Sequence, residues 1–270
     1  FLQGGASTQF AAIPLNFMNG SNKADFIITG QWAKKAYKEG ARYGAANVVA
    51  SSEDKTFSYI PKTTKEDFRQ DADYAYVCLN NTIYGTIFKE IPDTGDVTLI
   101  ADISSCFLSE PLDVTKFGMV YGGAQKNVAP AGLTIAIIRE DLLGNARDYC
   151  PTMLDYKVHA DNGSLYNTPP CYTIYICKLV LEWIKSLGGV KEMQKINEDE
   201  NELKQLSIIK NKDGRNITIK TKRPEKVTAE EIYELIHVEP VNASSEVIDG
   251  KTIITPHTIG VLLDIADIEK

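Results

Sequence analysis

Over the first two thirds of the chain, short apolar runs alternate with longer segments of helical periodicity. Runs rich in Val, Ile and Tyr at 26–29, 46–50, 74–79, 97–101, 118–121 and 133–138 predict strands, and the long connections between them predict parallel pairing buried between helices. Residues 31–43 predict a helix, and Phe10, Ala11, Ile13 and Leu15 lie on the apolar face of an earlier one. Further on, Ile176, Leu179, Val180, Leu181, Trp183, Ile184, Leu187, Val190 and Met193 predict one long amphipathic helix over 173–197, eased at Gly188-Gly189. The fold class is α/β, a mainly parallel sheet flanked by helices.

After this helix the pattern changes. Residues 208–210 and 216–220 flank Asn211-Lys-Asp-Gly214, a hairpin signal, and Thr228-Ala-Glu-Glu231 is a capping box for a short helix reaching about Ile236. The organisation read from the chain is a large domain over 1–197 and a small α+β segment over 206–270. The acidic patch at 198–202 reads as a solvated helix end and linker between them.

Composition narrows the classes. The chain has 270 residues, 43% hydrophobic and 24% charged, which suffices for a real core and excludes disorder. Against 29 basic residues stand 36 acidic ones, a net charge of −7 without any Lys/Arg block, so nucleic acid is not an expected partner. No apolar stretch approaches the roughly 20 residues a spanning helix needs, and the opening residues lack the layout of a secretory signal. Cys78, Cys106, Cys150, Cys171 and Cys177 form no C-x-x-C pair, which predicts reduced thiols and the cytoplasm. His159, His237 and His257 show no metal-ligand spacing, so no metal site is expected. Phe1 opens the chain in mid-pattern without a Met, which predicts a segment before it.

Candidate chemistry gathers between residues 99 and 139. One apolar run ends in Asp102 and another in Gly122-Gly-Ala-Gln-Lys-Asn127, so both polar groups emerge at strand ends, where α/β sheets bind ligands. Lys126, in a small-residue loop after a strand, is either a surface lysine or an amine placed for Schiff-base chemistry, for which close backbone approach and desolvation are suited. Asp102 on a neighbouring strand could pair with a protonated pyridine nitrogen. Gly4-Gly-Ala-Ser-Thr8 before a helix is either an ordinary cap or a phosphate cradle. Trp32, at a strand-to-helix junction, is either a core residue or a platform for a heteroaromatic ring.

Five runs carry a resemblance. Phe1-Leu-Gln-Gly-Gly-Ala-Ser-Thr-Gln-Phe10, Asn80-Asn-Thr-Ile-Tyr-Gly-Thr86, Ala101-Asp-Ile-Ser-Ser105, Gly122-Gly-Ala-Gln-Lys-Asn127 and Asp161-Asn-Gly-Ser-Leu-Tyr-Asn-Thr-Pro-Pro170 resemble the phosphoserine aminotransferase family, in order and at matching spacing, from residue 1 to about 197. That family has the aspartate-aminotransferase-like fold of pyridoxal 5′-phosphate enzymes. The resemblance implies that Lys126 forms the Schiff base with the cofactor and that Asp102 partners its pyridine nitrogen. It further implies that Trp32 stacks on the ring, that Ala6, Ser7 and Gln125 hold the phosphate, and that Thr82 bonds near the phenolic oxygen. Asn167 and Thr168 match positions that reach the cofactor phosphate of a neighbouring subunit, which implies a homodimer with shared sites.

The implied reaction takes O-phospho-L-serine and 2-oxoglutarate to 3-phosphooxypyruvate and L-glutamate, in serine biosynthesis and, in bacteria, also pyridoxine biosynthesis. The family's substrate arginines have no counterpart here: Arg215 and Arg223 lie in no matching motif, and the resemblance stops near residue 206. The alternative expectation is an incomplete cofactor-binding and dimerisation fragment without turnover. A desulfurase-type enzyme of the same cofactor is disfavoured for want of a nucleophilic cysteine loop.

Overall fold

A computed structural model describes residues 1–203, 207–210, 217–220, 243–248 and 251–256, with side chains up to residue 198. The chain divides into two compact units, Phe1–Gln194 and Lys195–Lys270.

The first unit is organised by seven strands: β1 (Leu2–Gln3), β2 (Lys23–Ile28), β3 (Ala45–Ser51), β4 (Tyr74–Cys78), β7 (Leu99–Asp102), β8 (Met119–Gly123) and β9 (Leu133–Ile138). They lie side by side in the order β1-β9-β8-β7-β4-β2-β3. A separate two-stranded ribbon, β5 (Asn80–Asn81) with β6 (Thr86–Ile87), follows β4. From β3 to β8 every pairing is parallel, whereas β9 runs antiparallel to β8 and β1 antiparallel to β9. The apolar run at 133–138 therefore forms a strand as expected but reverses direction. The turn from β8 to β9 is too short for the dozen or more residues of a parallel crossover.

Alternation along the strands splits the core into two layers. Phe26, Tyr74, Tyr76, Ile100, Met119 and Tyr121 face one side, under Phe10, Ile13 and Phe17 of α1 (Gln9–Phe17) and Ala33 and Ala36 of α2 (Gln31–Gly40). Ile27, Ala75, Val77, Leu99, Ala101 and Val120 face the other. Strands sealed on both faces account for continuous apolar runs such as Tyr74–Cys78.

Further along come α3 (Tyr156–Asp161), α4 (Cys171–Ser186) and α5 (Val190–Leu203). The single helix expected over 173–197 is two helices, because Gly188 and Gly189 take φ values of 107° and 87°, left-handed backbone that ends α4. His159 is buried in α3, its Nε2 2.9 Å from the Met153 carbonyl.

In the second unit, β10 (Ser207–Lys210) pairs antiparallel with β11 (Ile217–Lys220), as the hairpin signal predicts. A second antiparallel pair joins β12 (Ala243–Ile248) to β13 (Lys251–Pro256). The capping box at Thr228 and its short helix lie outside the described residues.

Candidate active site

Strands β1, β2, β4, β7 and β8 share one direction, so their C-terminal ends define one edge of the sheet. Asp102 closes β7, and Lys126 follows the end of β8 by three residues. Thr82 follows β5, Trp32 opens α2 directly after β2, and Ala6 and Ser7 follow β1. The edge thus collects the candidates drawn from five separate stretches of sequence.

Asp102 is 5% exposed and held by several donors. The Ser104 N–H and hydroxyl donate to its Oδ1 at 2.8 and 2.6 Å, and the Tyr121 hydroxyl donates to Oδ2 at 3.4 Å. Register makes this possible: Asp102 lies opposite Tyr121 across the parallel pair and opposite Cys78 on the other side. Burial pushes the carboxyl above the ordinary carboxylate range, while the Ser104 and Tyr121 hydrogen bonds and the charge of Lys126 pull it back.

Lys126 Nζ donates to Thr82 Oγ1 at 3.2 Å, so the amine and the hydroxyl meet across 44 residues of sequence. The two strands carrying Asp102 and Lys126 are tied by Ser104, whose Oγ also accepts the Gly123 N–H at 2.9 Å. Gly122 eases this approach, since a Cβ there would make a tight contact 3.3 Å from Ser104 Cα. Gln125 is exposed beside Gly123.

At the β1 end, a 3-10 turn over Ala6–Thr8 leads into α1. Gly5 precedes it with open space where a Cβ would stand, and among the described residues no backbone carbonyl receives the Ala6 or Ser7 N–H. The loop is tied down from behind by Gly4 N–H to Gly132 O at 3.1 Å and Thr134 Oγ1 to Gly4 O at 3.0 Å. Free N–H groups at the start of a helix favour an anion.

Trp32 is half-buried against the α1/α2 layer, with Lys35 Nζ 4.4 Å from its ring centroid, so it is at once a core contact and a site-edge aromatic. Asn167 and Thr168 are exposed and lie beside Gln3 of the same chain: Asn167 Nδ2 donates to Gln3 Oε1 at 3.2 Å, and Gln3 Nε2 to the Thr168 carbonyl. Sequence reasoning missed Ser104, Tyr121 and Tyr76 as site residues. Tyrosine in an apolar run is indistinguishable from core until the register is known.

The buried layer pushes the Cys78 thiol up and the Cys106 thiol to about 12, so neither is an activated nucleophile. All five cysteines are free. Among the described residues there is no cluster of metal-ligating side chains and no helix long and apolar enough to cross a membrane.

This donor set fits pyridoxal 5′-phosphate. A buried carboxylate with acceptor capacity left on one oxygen suits a pyridinium N–H, an amine beside a hydroxyl suits the carbonyl end, and the free N–H groups suit the phosphate.

Comparisons with known proteins point the same way. The aminotransferase class-V family model matches residues 1–242. A phosphoserine aminotransferase of Pseudomonas syringae pv. syringae is 55% identical over 198 residues, covering 73% of this chain and 55% of that protein. The solved phosphoserine aminotransferase of Bacillus circulans subsp. alkalophilus superposes with a TM-score of 0.72 at 40% identity, over 86% of this chain and 68% of that one. A PLP-bound phosphoserine aminotransferase from Trichomonas vaginalis gives a TM-score of 0.69 at 36% identity, over 74% and 57%. The chain spans little more than half the length of the bacterial relatives it matches, 55% and 56% for two of them.

Proposed function

The chain belongs to the class-V aminotransferase family, in its phosphoserine aminotransferase branch, and from that premise we propose that it moves the amino group of O-phospho-L-serine to 2-oxoglutarate, giving 3-phosphooxypyruvate and L-glutamate. The observation that carries this reading is the convergence of Asp102, Lys126, Thr82 and the Gly5–Ala6–Ser7 loop on one edge of the sheet. The step belongs to serine biosynthesis, and in a bacterial setting to pyridoxine biosynthesis as well.

When bound, pyridoxal 5′-phosphate supplies a carbonyl that takes up the amino group and a conjugated ring that spreads the charge left when Cα loses its proton. Lys126 Nζ would be the residue that anchors the cofactor carbonyl and, once displaced by the substrate amine, the base that would take the proton from Cα and deliver it two atoms along, to the carbon that had been that carbonyl. Thr82, 3.2 Å from Nζ, holds the amine within reach during that transfer. Asp102 binds the protonated ring nitrogen and keeps it protonated. The Ala6 and Ser7 N–H groups with Gln125 would hold the phosphate, and Trp32 would stack on the ring.

We further propose a homodimer in which Asn167 and Thr168 reach the partner's phosphate site. The exposed apolar side chains Leu165, Tyr166, Tyr172 and Tyr175, all more than half accessible, support a protein surface that is covered in an assembly. Free, unpaired thiols support a reducing compartment, the cytoplasm. The large cofactor-binding domain is taken as 1–197, with 206–270 as a second segment.

One observation favours the second reading, a cofactor-binding and dimerisation fragment. Arg69 is committed to Asp25, Arg139 to Asp141, Arg147 to Asn22 and two carbonyls, and Arg42 lies on the surface beside Glu39. Among the described residues no arginine stands at the strand-end edge to grip a substrate carboxylate or phosphate, and Arg215 and Arg223 lie outside them. Purified protein loaded with pyridoxal phosphate and mixed with phosphoserine and 2-oxoglutarate decides between them. Glutamate formation supports the transaminase; bound cofactor with no glutamate above a protein-free control supports the fragment.

A further inference from the structure

Two buried tyrosines stand behind Asp102. The Tyr76 and Tyr121 hydroxyls are 2.7 Å apart, both residues are 1% exposed or less, and Tyr121 reaches Asp102 Oδ2. Each phenol has one proton. With Tyr121 donating to Asp102, Tyr76 must donate to Tyr121, which makes a two-step chain of donors ending on Oδ2. Oδ1 already takes both Ser104 donors, so Oδ2 is the oxygen with an acceptor position left. Phenylalanine at 76 and 121 would fill nearly the same volume without burying hydroxyls, so packing alone does not account for the pair.

We propose that Tyr76 and Tyr121 are positioning residues that fix Asp102 Oδ2 and favour its ionised form, leaving that oxygen's remaining lone pair for the ring nitrogen of the cofactor. This rests on the reading of Asp102 as that nitrogen's partner. The groups facing the carboxyl are Tyr121 on β8, Tyr76 and Cys78 on β4, Cys106 in the loop after β7, and Lys126 after β8. Burial pushes both phenols and the Cys78 thiol far up, so they stay neutral while the carboxyl titrates. Hydrogen bonds among such groups reinforce one another, so losing the distal hydroxyl also weakens the proximal one.

The test uses the full chain without cofactor, labelled with 13C at the aspartate carboxyls, the Asp102 resonance being assigned by its loss in Asp102→Asn. Tyr121→Phe should raise the Asp102 titration midpoint by about one pH unit, a tenfold gain in proton affinity. Tyr76→Phe should raise it by less, in the same direction. In a second arm, Tyr121→Phe should weaken pyridoxal phosphate binding roughly tenfold, the same 1.4 kcal/mol, and leave unchanged the binding of an analogue with CH in place of the ring nitrogen. An unmoved midpoint in both folded variants, or equal losses for the two ligands, overturns the proposal. Should Tyr121→Phe not fold, Tyr76→Phe decides alone: a raised midpoint supports the relay and an unchanged one overturns it. Failure of the parent protein to bind either ligand overturns the cofactor reading, and the titration still judges the relay separately.

Discussion

Replacing Ser104 with Ala removes one oxygen that serves two strands. Its Oγ donates to Asp102 Oδ1 at 2.6 Å and accepts the Gly123 N–H at 2.9 Å. A hydrogen bond to a charged acceptor contributes about 1.5–3 kcal/mol net, and leaving a buried N–H unpaired costs about 1–3 kcal/mol. Ser104 is only half-buried, so water recovers part of the second amount, and the expected loss is on the order of 2–4 kcal/mol. Urea unfolding of the cofactor-free protein should show a lower midpoint at unchanged slope. Because both strand ends shift, pyridoxal phosphate affinity should fall about tenfold to a hundredfold. The Ser104 bonds favour the ionised carboxyl, so their contribution is present above the Asp102 titration and is lost as pH falls through it. The gap between parent and Ser104→Ala should narrow accordingly in acid, and Ser104→Thr should restore most of the loss. A Ser104→Ala protein within about 0.5 kcal/mol of the parent, with undiminished cofactor affinity, would refute the idea that this residue ties the two strand ends together.

Two further predictions separate the site from the scaffold. Burial raises the Asp102 carboxyl, so its contribution to stability is present below the unfolded value, near pH 4, and is lost as pH rises through the folded one. Cofactor-free Asp102→Asn should therefore melt above the parent at pH 8, by about 2–4 °C for each kcal/mol relieved; a lower melting temperature at pH 8 contradicts this. Arg69→Ala should cost about 2–4 kcal/mol, because it removes the guanidinium whose Nε–H donates to the wholly buried Asp25 at 2.7 Å and leaves that carboxylate only the residue-69 backbone N–H and the Asn47 amide as donors. Since that pair lies in the first half of β2, away from the strand ends, cofactor affinity in the folded protein should stay within about twofold of the parent, near 0.4 kcal/mol.

Much of the fold is legible in the sequence for a physical reason. Strands covered on both faces are mostly apolar, so β4, β7, β8 and the second half of β2 stand out, and the polar residues that end or follow such a run, Asp102 and Lys126, stand out with them. The reversal of β9 is not legible, because an apolar run carries no direction; the short turn after Lys126 was the available signal. The two-residue β1 is too short for any periodicity. The Gly188-Gly189 pair is legible only as a bend, whereas both residues adopt left-handed backbone and break the helix. The Tyr76–Tyr121–Asp102 chain links residues up to 45 positions apart, and only the strand register brings them to one face.

The claim on which the rest depends is that the strand-end edge binds pyridoxal phosphate through Lys126. Incubating the protein with pyridoxal phosphate, reducing with borohydride and mapping the modified peptides by mass spectrometry tests it directly. One dominant phosphopyridoxyl label is expected, on Lys126, absent from Lys126→Ala and diminished in Ser104→Ala. Label spread over surface lysines, or undiminished in Lys126→Ala, would contradict it.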